Sequence, residues 1–275
     1  PEIEYANSLG LEIIVTDHHE INNGNPPAYA VINPKREDNQ FPFKYMAGVG
    51  TAFMLIYALF DKLEKKEELY KYLDIVAIGT VADIVPLLEE NRIFTKFGME
   101  QLNKSHWLGI SMLIKKIFED YKTKKFNTYD IGFIIAPIFN AAGRLEDAKR
   151  AVELFIEKDH RVCSEIINEL LNNNTERKEI QEMILERALF KIENEKLFED
   201  SVLVVAEEGF HHGVIGIVAS KILDRYYKPT IIMEIKAEEG IATASCRSIE
   251  GFNMIEALNT MKELFVKYGG HAGAA

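Results

Sequence analysis

The apolar positions of this chain change period along its length, and the changes divide it. A mainly apolar run at 11–15, stopped by a polar turn, predicts a buried strand, and residues 1–10 before it predict the tail of a helix. Residues 22–42 are polar and carry Asn25-Pro-Pro27 and Asn33-Pro34, which mark turns around a short strand at 28–32. Ala47-Gly-Val-Gly50 then opens an apolar stretch to residue 63 that predicts a buried helix, its glycines permitting close packing or the approach of a ligand. Leu69, Tyr72, Leu73, Val76 and Ala77 stand at helical spacing over 67–80. Residues 92–126 alternate helical patterns with lysine patches, and Trp107 is expected to anchor the core.

From about 148 to 198 the pattern is helical, with an expected break near Asn172-Asn-Asn174. Val162, Ile166 and Leu170 form one stripe and Ile180, Ile184, Ala188 and Ile192 another, amid charged positions. Such a segment suits a connector between two domains. Beyond it the pattern predicts strands at 201–206, 229–235 and 241–245 and helices at 213–226 and 253–268, a small α/β domain.

Composition narrows the class. A chain of 275 residues, 47% hydrophobic and 27% charged, has room for one large or two moderate globular domains. No run approaches a membrane span and no leader is visible, so the expected location is the cytoplasm. Cys163 and Cys246 have neither disulfide-framework nor metal-site spacing and are expected to be reduced. The net charge of −11 argues against nucleic acid, but residues 151–200 alone carry −6, and an acidic connector does not exclude a basic site elsewhere. Both ends read as cut within an element, as expected of a fragment.

Candidate chemistry clusters at element ends. Asp17-His18-His19 follows the first strand, where open α/β sheets place ligands, and its side chains can ligate a metal or touch an anion. A solvated turn is the plainer alternative. Asp83, flanked by apolar residues just before Pro86, reads as a buried carboxylate needing a partner: a helix N-cap, or a metal ligand converging with His18. In Asn140-Ala-Ala-Gly-Arg144 the small residues allow close approach and the arginine fits a phosphate; a helix start with a salt bridge from Arg144 to Glu146 or Asp147 fits equally. In the small domain, His211-His212-Gly213 precedes a helix, Ser245-Cys-Arg247-Ser248 ends a strand and Gly269-Gly270-His271 follows a helix, together a consistent set for phosphate.

Asp17-His18-His19, Gly79-Thr-Val-Ala-Asp83-Ile-Val-Pro, Asn140-Ala-Ala-Gly-Arg144, His211-x-Gly-Val-Ile-Gly and Gly269-Gly-His271 resemble, in order and spacing, the DHH phosphoesterases. The branch they resemble is RecJ, the single-strand-specific 5′→3′ DNA exonucleases of recombination and repair. The resemblance implies an α/β catalytic DHH domain over 1–150 with a mainly parallel sheet flanked by helices. A connecting helix over 151–198 and a smaller α/β DHHA1 domain over 199–275 follow, with single-stranded DNA in the cleft between the domains. It implies two-metal hydrolysis with Mn2+ or Mg2+, and it leaves room for a single-strand-binding protein and a helicase as partners. By position His18 and Asp83 would ligate metal, Asp17 would support the site and His19 would contact the scissile phosphate. Asn140, Arg144, His211, Gly269, Gly270 and His271 would hold the DNA backbone, and Ser245 and Arg247 the 5′ end.

Two departures matter. The family's earlier Asp-x-Asp and single-Asp motifs do not occur in this sequence, so this chain alone is expected to be nearly inactive. Ala136-Pro-Ile-Phe139 stands where Gly-Pro-Arg is expected, and one backbone contact is in doubt. A nano-RNA or cyclic-dinucleotide phosphodiesterase of the same superfamily and a non-catalytic DHH scaffold are the alternatives.

Overall fold

The computed structural model describes residues 1–21, 24–145 and 147–275. It separates into two compact units, residues 1–140 with 148–170, and residues 141–147 with 171–275.

In the first unit, helix α1 (Glu2–Ser8) precedes strand β1 (Ile14–Thr16), which pairs in parallel with β2 (Ala30–Ile32), Ile14 opposite Ala30 and Thr16 opposite Ile32. The expected five-residue buried strand is shorter and more open: Leu11 and Ile14 are each more than half exposed. Among the described residues β1 pairs with one strand, β2, and so forms one edge of a two-stranded sheet.

Helix α2 (Gly48–Lys62) buries Gly50, Thr51 and Phe53 but leaves Tyr57 and Leu59 in water, so it is one-sided rather than buried throughout. A 3₁₀ turn leads into α3 (Leu73–Ala82), and α4 (Glu89–Gln101) packs on α3. Gly98 allows that packing. A Cβ there would stand 2.1 Å from the Leu73 carbonyl oxygen and 2.4 Å from Ala77 Cβ. Leu73, Val76, Phe53 and Phe94 form one core cluster; Ala77, Ile78, Ile131, Ile135 and residues of α5 (Leu108–Ile117) form another. Trp107 anchors the second cluster from a partly buried position, its indole N–H donating to the Lys71 carbonyl at 3.0 Å.

Asp74, buried in α3, accepts from the Ser105 hydroxyl (2.5 Å) and the Ile75 N–H (2.7 Å). Burial pushes its carboxyl above the ordinary 3.8, against the opposing pull of those bonds. The folded state therefore binds this proton more tightly than the unfolded chain. Its stabilising effect is complete below about 3.8 and is lost as pH rises through the higher folded value. Asp74→Asn, which keeps an acceptor and carries no charge, is expected to gain stability relative to the parent as pH rises from 4 to 7. Urea melts across that range check the sign, and a constant difference would contradict it.

A π-helical turn (Asp130–Ile135) continues directly into α6 (Ala136–Leu145). Asn127 and Asp130 cap its start reciprocally: the Asp130 carboxylate accepts from Asn127 N–H and the Asn127 side chain from Asp130 N–H. Residues 140–144 thus end a helix rather than start one. Next come α7 (Lys149–Ile156) and α8 (His160–Asn194). The break in the helical run falls at 157–159, where Asp159 Oδ1 accepts from Arg161 and Val162 N–H and restarts the helix. It does not fall at 172–174. There Asn174 takes a side-chain partner, Arg177, instead of competing for the backbone.

The second unit is built on a three-stranded sheet in the order β3-β4-β5. Strand β3 (Leu203–Glu208) lies parallel to β4 (Thr230–Lys236), and β5 (Ile241–Arg247) lies antiparallel to β4. Helix α9 (His212–Tyr226) connects β3 to β4, and Val214, Val218 and Ile222 on it pack with Ile184, Ala188 and Ile192 of α8 and with Val205 and Ile232. The expected long last helix is only α10 (Met254–Asn259) and a 3₁₀ turn, because Leu264 and Val266 find no core and remain exposed. Cys163 and Cys246 are both buried free thiols.

Candidate active site

Strand pairing sets the first group of residues. The ladder runs one residue past β1, with Asp17 N–H donating to the Ile32 carbonyl at 3.0 Å, and the chain then turns. Asp17 Oδ1 lies 2.7 Å from His19 Nδ1 and accepts from the His19 N–H at 3.3 Å, which holds the turn and presents the His19 ring, 78% exposed, to solvent. Burial raises the Asp17 carboxyl, but the bonds from His19 and His18 outweigh it and hold the group below its ordinary range.

His18 turns the other way. Its ring lies over Gly48 at the start of α2, where a Cβ would stand 3.1 Å from Cδ2, and its Nδ1 is 3.4 Å from Asp83 Oδ2. Gly79 lets α3 come equally close to α2, a Cβ there falling 2.8 Å from Val49 Cγ1, and this brings the end of α3 to His18. Asp83 is the C-cap of α3 with a side chain 38% exposed, so it is neither the buried carboxylate nor the N-cap that its apolar neighbours suggest. A carboxylate at the negative end of a helix dipole is electrostatically misplaced unless a cation sits beside it. The next residue, Ile84, is 91% exposed with a left-handed backbone (φ 57°), a strained conformation for a β-branched residue.

Asn33 is the residue of this site that sequence reasoning missed. It is 4% exposed, its amide donates to the His19 carbonyl at 3.0 Å, and its Oδ1 accepts from Lys35 N–H at 2.9 Å. With Lys35 paired to Glu20 at 2.8 Å, the turn after β2 clamps the Asp-His-His turn. The only signal was the Asn33-Pro34 dipeptide, which read as a turn.

Two donors on one metal ion, at bonds of about 2.1 Å and right angles, stand about 3 Å apart. The His18–Asp83 separation of 3.4 Å suits adjacent positions on a hard divalent cation. Among the described residues no group of three or more such side chains converges, so these two alone do not make up a coordination sphere.

The second unit gathers arginines. Arg144 donates to the Gly213 carbonyl (2.9 Å), and a Cβ on Gly213 would stand 2.2 Å from the Arg144 carbonyl oxygen. Arg247 donates to the hydroxyls of Ser220 (3.2 Å) and Ser245 (3.1 Å), in space that Gly216 leaves open. Arg177 in α8 is 8% exposed and donates to Gln181 and Asn174, both at 2.8 Å. Burial pulls all three guanidinium groups below their ordinary value; the Arg247 charge adds to this at Arg144, and the Arg144 charge at Arg177. Among the described residues the polar partners of Arg177 and Arg247 are amide, hydroxyl and carbonyl oxygens. Three like charges held together in this way are an arrangement that an anion would stabilise. Of the anticipated pair for Arg144, Glu146 lies outside the described residues. Arg177, Gln181 and Ser220 were not anticipated, because a helix-interior arginine looks the same in sequence whether it is solvated or buried.

His211 N-caps α9, its Nδ1 accepting from Gly213 N–H at 3.1 Å. His271 is exposed and bridges to Ala274, which also bridges to Arg247, so the Gly269-Gly270-His271 turn lies beside the end of β5. Gly270 is required there: a Cβ would fall 2.3 Å from the Ala274 carbonyl oxygen. Asn140 is exposed on α6 in the first unit.

Residues 1–80 match the DHH family, N-terminal domain, and residues 199–275 match the DHHA1 domain. Single-stranded-DNA-specific exonuclease RecJ of Bacillus subtilis is 41% identical over 274 residues, 100% of this chain and 34% of that protein. RecJ of Escherichia coli is 38% identical over 291 residues, 99% of this chain and 50% of that protein. The chain carries DHH-family and DHHA1 domains.

The crystal structure of Thermus thermophilus RecJ in complex with Mn2+ superposes with a TM-score of 0.84 at 30% identity, over 99% of this chain and 39% of that one. A second, exonuclease RecJ bound to manganese, gives 0.81 over 99% and 66%. This chain therefore spans between a third and a half of the length of the curated RecJ proteins it matches. Its DHH match contains Asp17, His18 and His19 and its DHHA1 match contains Ser245, Arg247 and His271.

Proposed function

We propose that this chain is the part of a RecJ-type nuclease that supplies one half of a metal-dependent phosphodiester-hydrolysing site and a phosphate grip. The observation that carries the reading is the His18–Asp83 pair beside the Asp17–His19 pair, at the end of a parallel strand. His18 and Asp83 would hold a Mn2+ or Mg2+ ion, which when bound activates water and offsets charge on the phosphate. Asp17 holds the His19 imidazole through Nδ1, so that Nε2 can donate to an oxygen of the scissile phosphate. Arg144, Arg247 and Ser245 take phosphate oxygens, with Arg247 and Ser245 at the 5′ end of a single strand and Arg177 supporting the group from α8.

In the full-length protein, Arg247→Ala is expected to weaken binding of a 5′-phosphorylated single strand about 10- to 100-fold, since hydrogen bonds to charged groups contribute about 1.5–3 kcal/mol each. It should also erase the difference between 5′-phosphate and 5′-hydroxyl strands. Fluorescence anisotropy with both strands checks this, and retention of the difference would refute the 5′-end assignment. Comparing cleavage of long strands with di- and trinucleotides tests the substrate class, because preference for the short ones would indicate an oligonucleotide phosphodiesterase instead.

A further inference from the structure

The π-helical turn that precedes α6, together with its N-cap residue Tyr129, carries two aromatic rings that the fold does not use. Tyr129 and Phe133 stack on each other, ring centroids 4.9 Å apart and planes 22° from parallel, and they are 61% and 71% exposed. Four-residue spacing on a π-helix places them on one side, while Ile131 and Ile135, both fully buried, face the core beside Val81. The core contact of this element is therefore complete without the aromatic pair.

The turn also packs against the helix that ends in Asp83. A Cβ at Gly132 would be 3.5 Å from Val81 Cγ1, so this turn rests on the end of α3, two residues before Asp83. The loop that enters it carries exposed Lys122 and Lys125, neither paired with a carboxylate among the described residues, while Lys124 is engaged with Asp130 at 3.1 Å. A flat apolar face next to unpaired cations and a phosphodiester site matches a nucleobase on a polyanionic backbone. A duplex, whose bases are stacked internally, cannot offer it a free base face.

We propose that Tyr129 and Phe133 form a base-stacking step for single-stranded nucleic acid, with Lys122 and Lys125 meeting the backbone. The proposal rests on the phosphodiesterase reading above. The test uses the full-length protein, a 5′-phosphorylated oligothymidylate and a set of the same strand with one abasic site moved along it. Hydrolysis of bis(p-nitrophenyl) phosphate, which has no base, is followed in parallel.

Wild-type protein is expected to lose about tenfold in affinity when the abasic site reaches one particular position, the loss of a single stacked base. Phe133→Ala should bind the intact strand about tenfold more weakly, show no sensitivity at that position, and hydrolyse the base-free substrate within twofold of wild type. Phe133→Trp should restore the sensitivity. Equal abasic sensitivity in wild type and Phe133→Ala would overturn the proposal. So would a large fall in melting temperature in Phe133→Ala, which would mean that the ring is covered by another part of the polypeptide. Failure of the wild type to hydrolyse either substrate would overturn the underlying reading, and the stacking step with it.

Discussion

His19→Ala in the full-length protein is expected to lower single-turnover cleavage about 10³-fold while changing strand affinity less than threefold. The size follows from removing one hydrogen-bond donor aimed at charge that develops in the transition state. The selectivity follows from the geometry. Among the described residues the His19 side chain contacts Asp17 and the neighbouring His18 ring, so its removal leaves the His18–Asp83 pair and the arginine group intact. The phosphate grip then holds the strand while the chemistry fails. Rapid-quench cleavage and anisotropy on one preparation separate the two effects. Cleavage within tenfold of wild type would remove His19 from the reaction.

The second large effect is on stability. Gly98→Ala would place a methyl group 2.1 Å from the Leu73 carbonyl oxygen and 2.4 Å from Ala77 Cβ. Neither neighbour is the end of a flexible side chain, so α4 must move away from α3. Overpacking of this kind costs about 3 kcal/mol, or roughly 6–12 °C in melting temperature at about 2–4 °C per kcal/mol for a chain of this size. Gly132→Ala is the control, since its Cβ would meet Val81 at an ordinary 3.5 Å. Because α3 ends in Asp83, the displaced variant should also bind Mn2+ more weakly than the control.

How far the sequence reached depended on the range of the interaction concerned. Strand-end placement of Asp17-His18-His19, the start of α2 at Gly48 and the β-α-β-β-α order of the second unit are local patterns, and each formed within a few residues of expectation. The break before α8 was misplaced because three asparagines suggest a turn, whereas Asn174 is engaged by Arg177 within the helix and Asp159 caps its start. Asp83 stood out in the sequence as a candidate, but its place as a half-exposed C-cap did not. Apolar neighbours in sequence do not say which of them face the same way, and Ile84 beside it points into solvent.

The sequence by itself determined the residue types of this site: a carboxylate and two imidazoles after a strand, a second carboxylate after a helix, and arginine and histidine at the turns of a small α/β unit. Periodicity and turn chemistry act over a few residues, so they are readable from a linear string. Only the tertiary structure decided which of these groups meet. Glycines 48 and 79 let α2 and α3 close on His18 until its ring reaches Asp83. Asn33 clamps the Asp-His-His turn from across the strand pair. Arg177, an ordinary helix residue in the sequence, is buried within an arginine group. These outcomes depend on packing between segments far apart in the chain, and no local pattern encodes them.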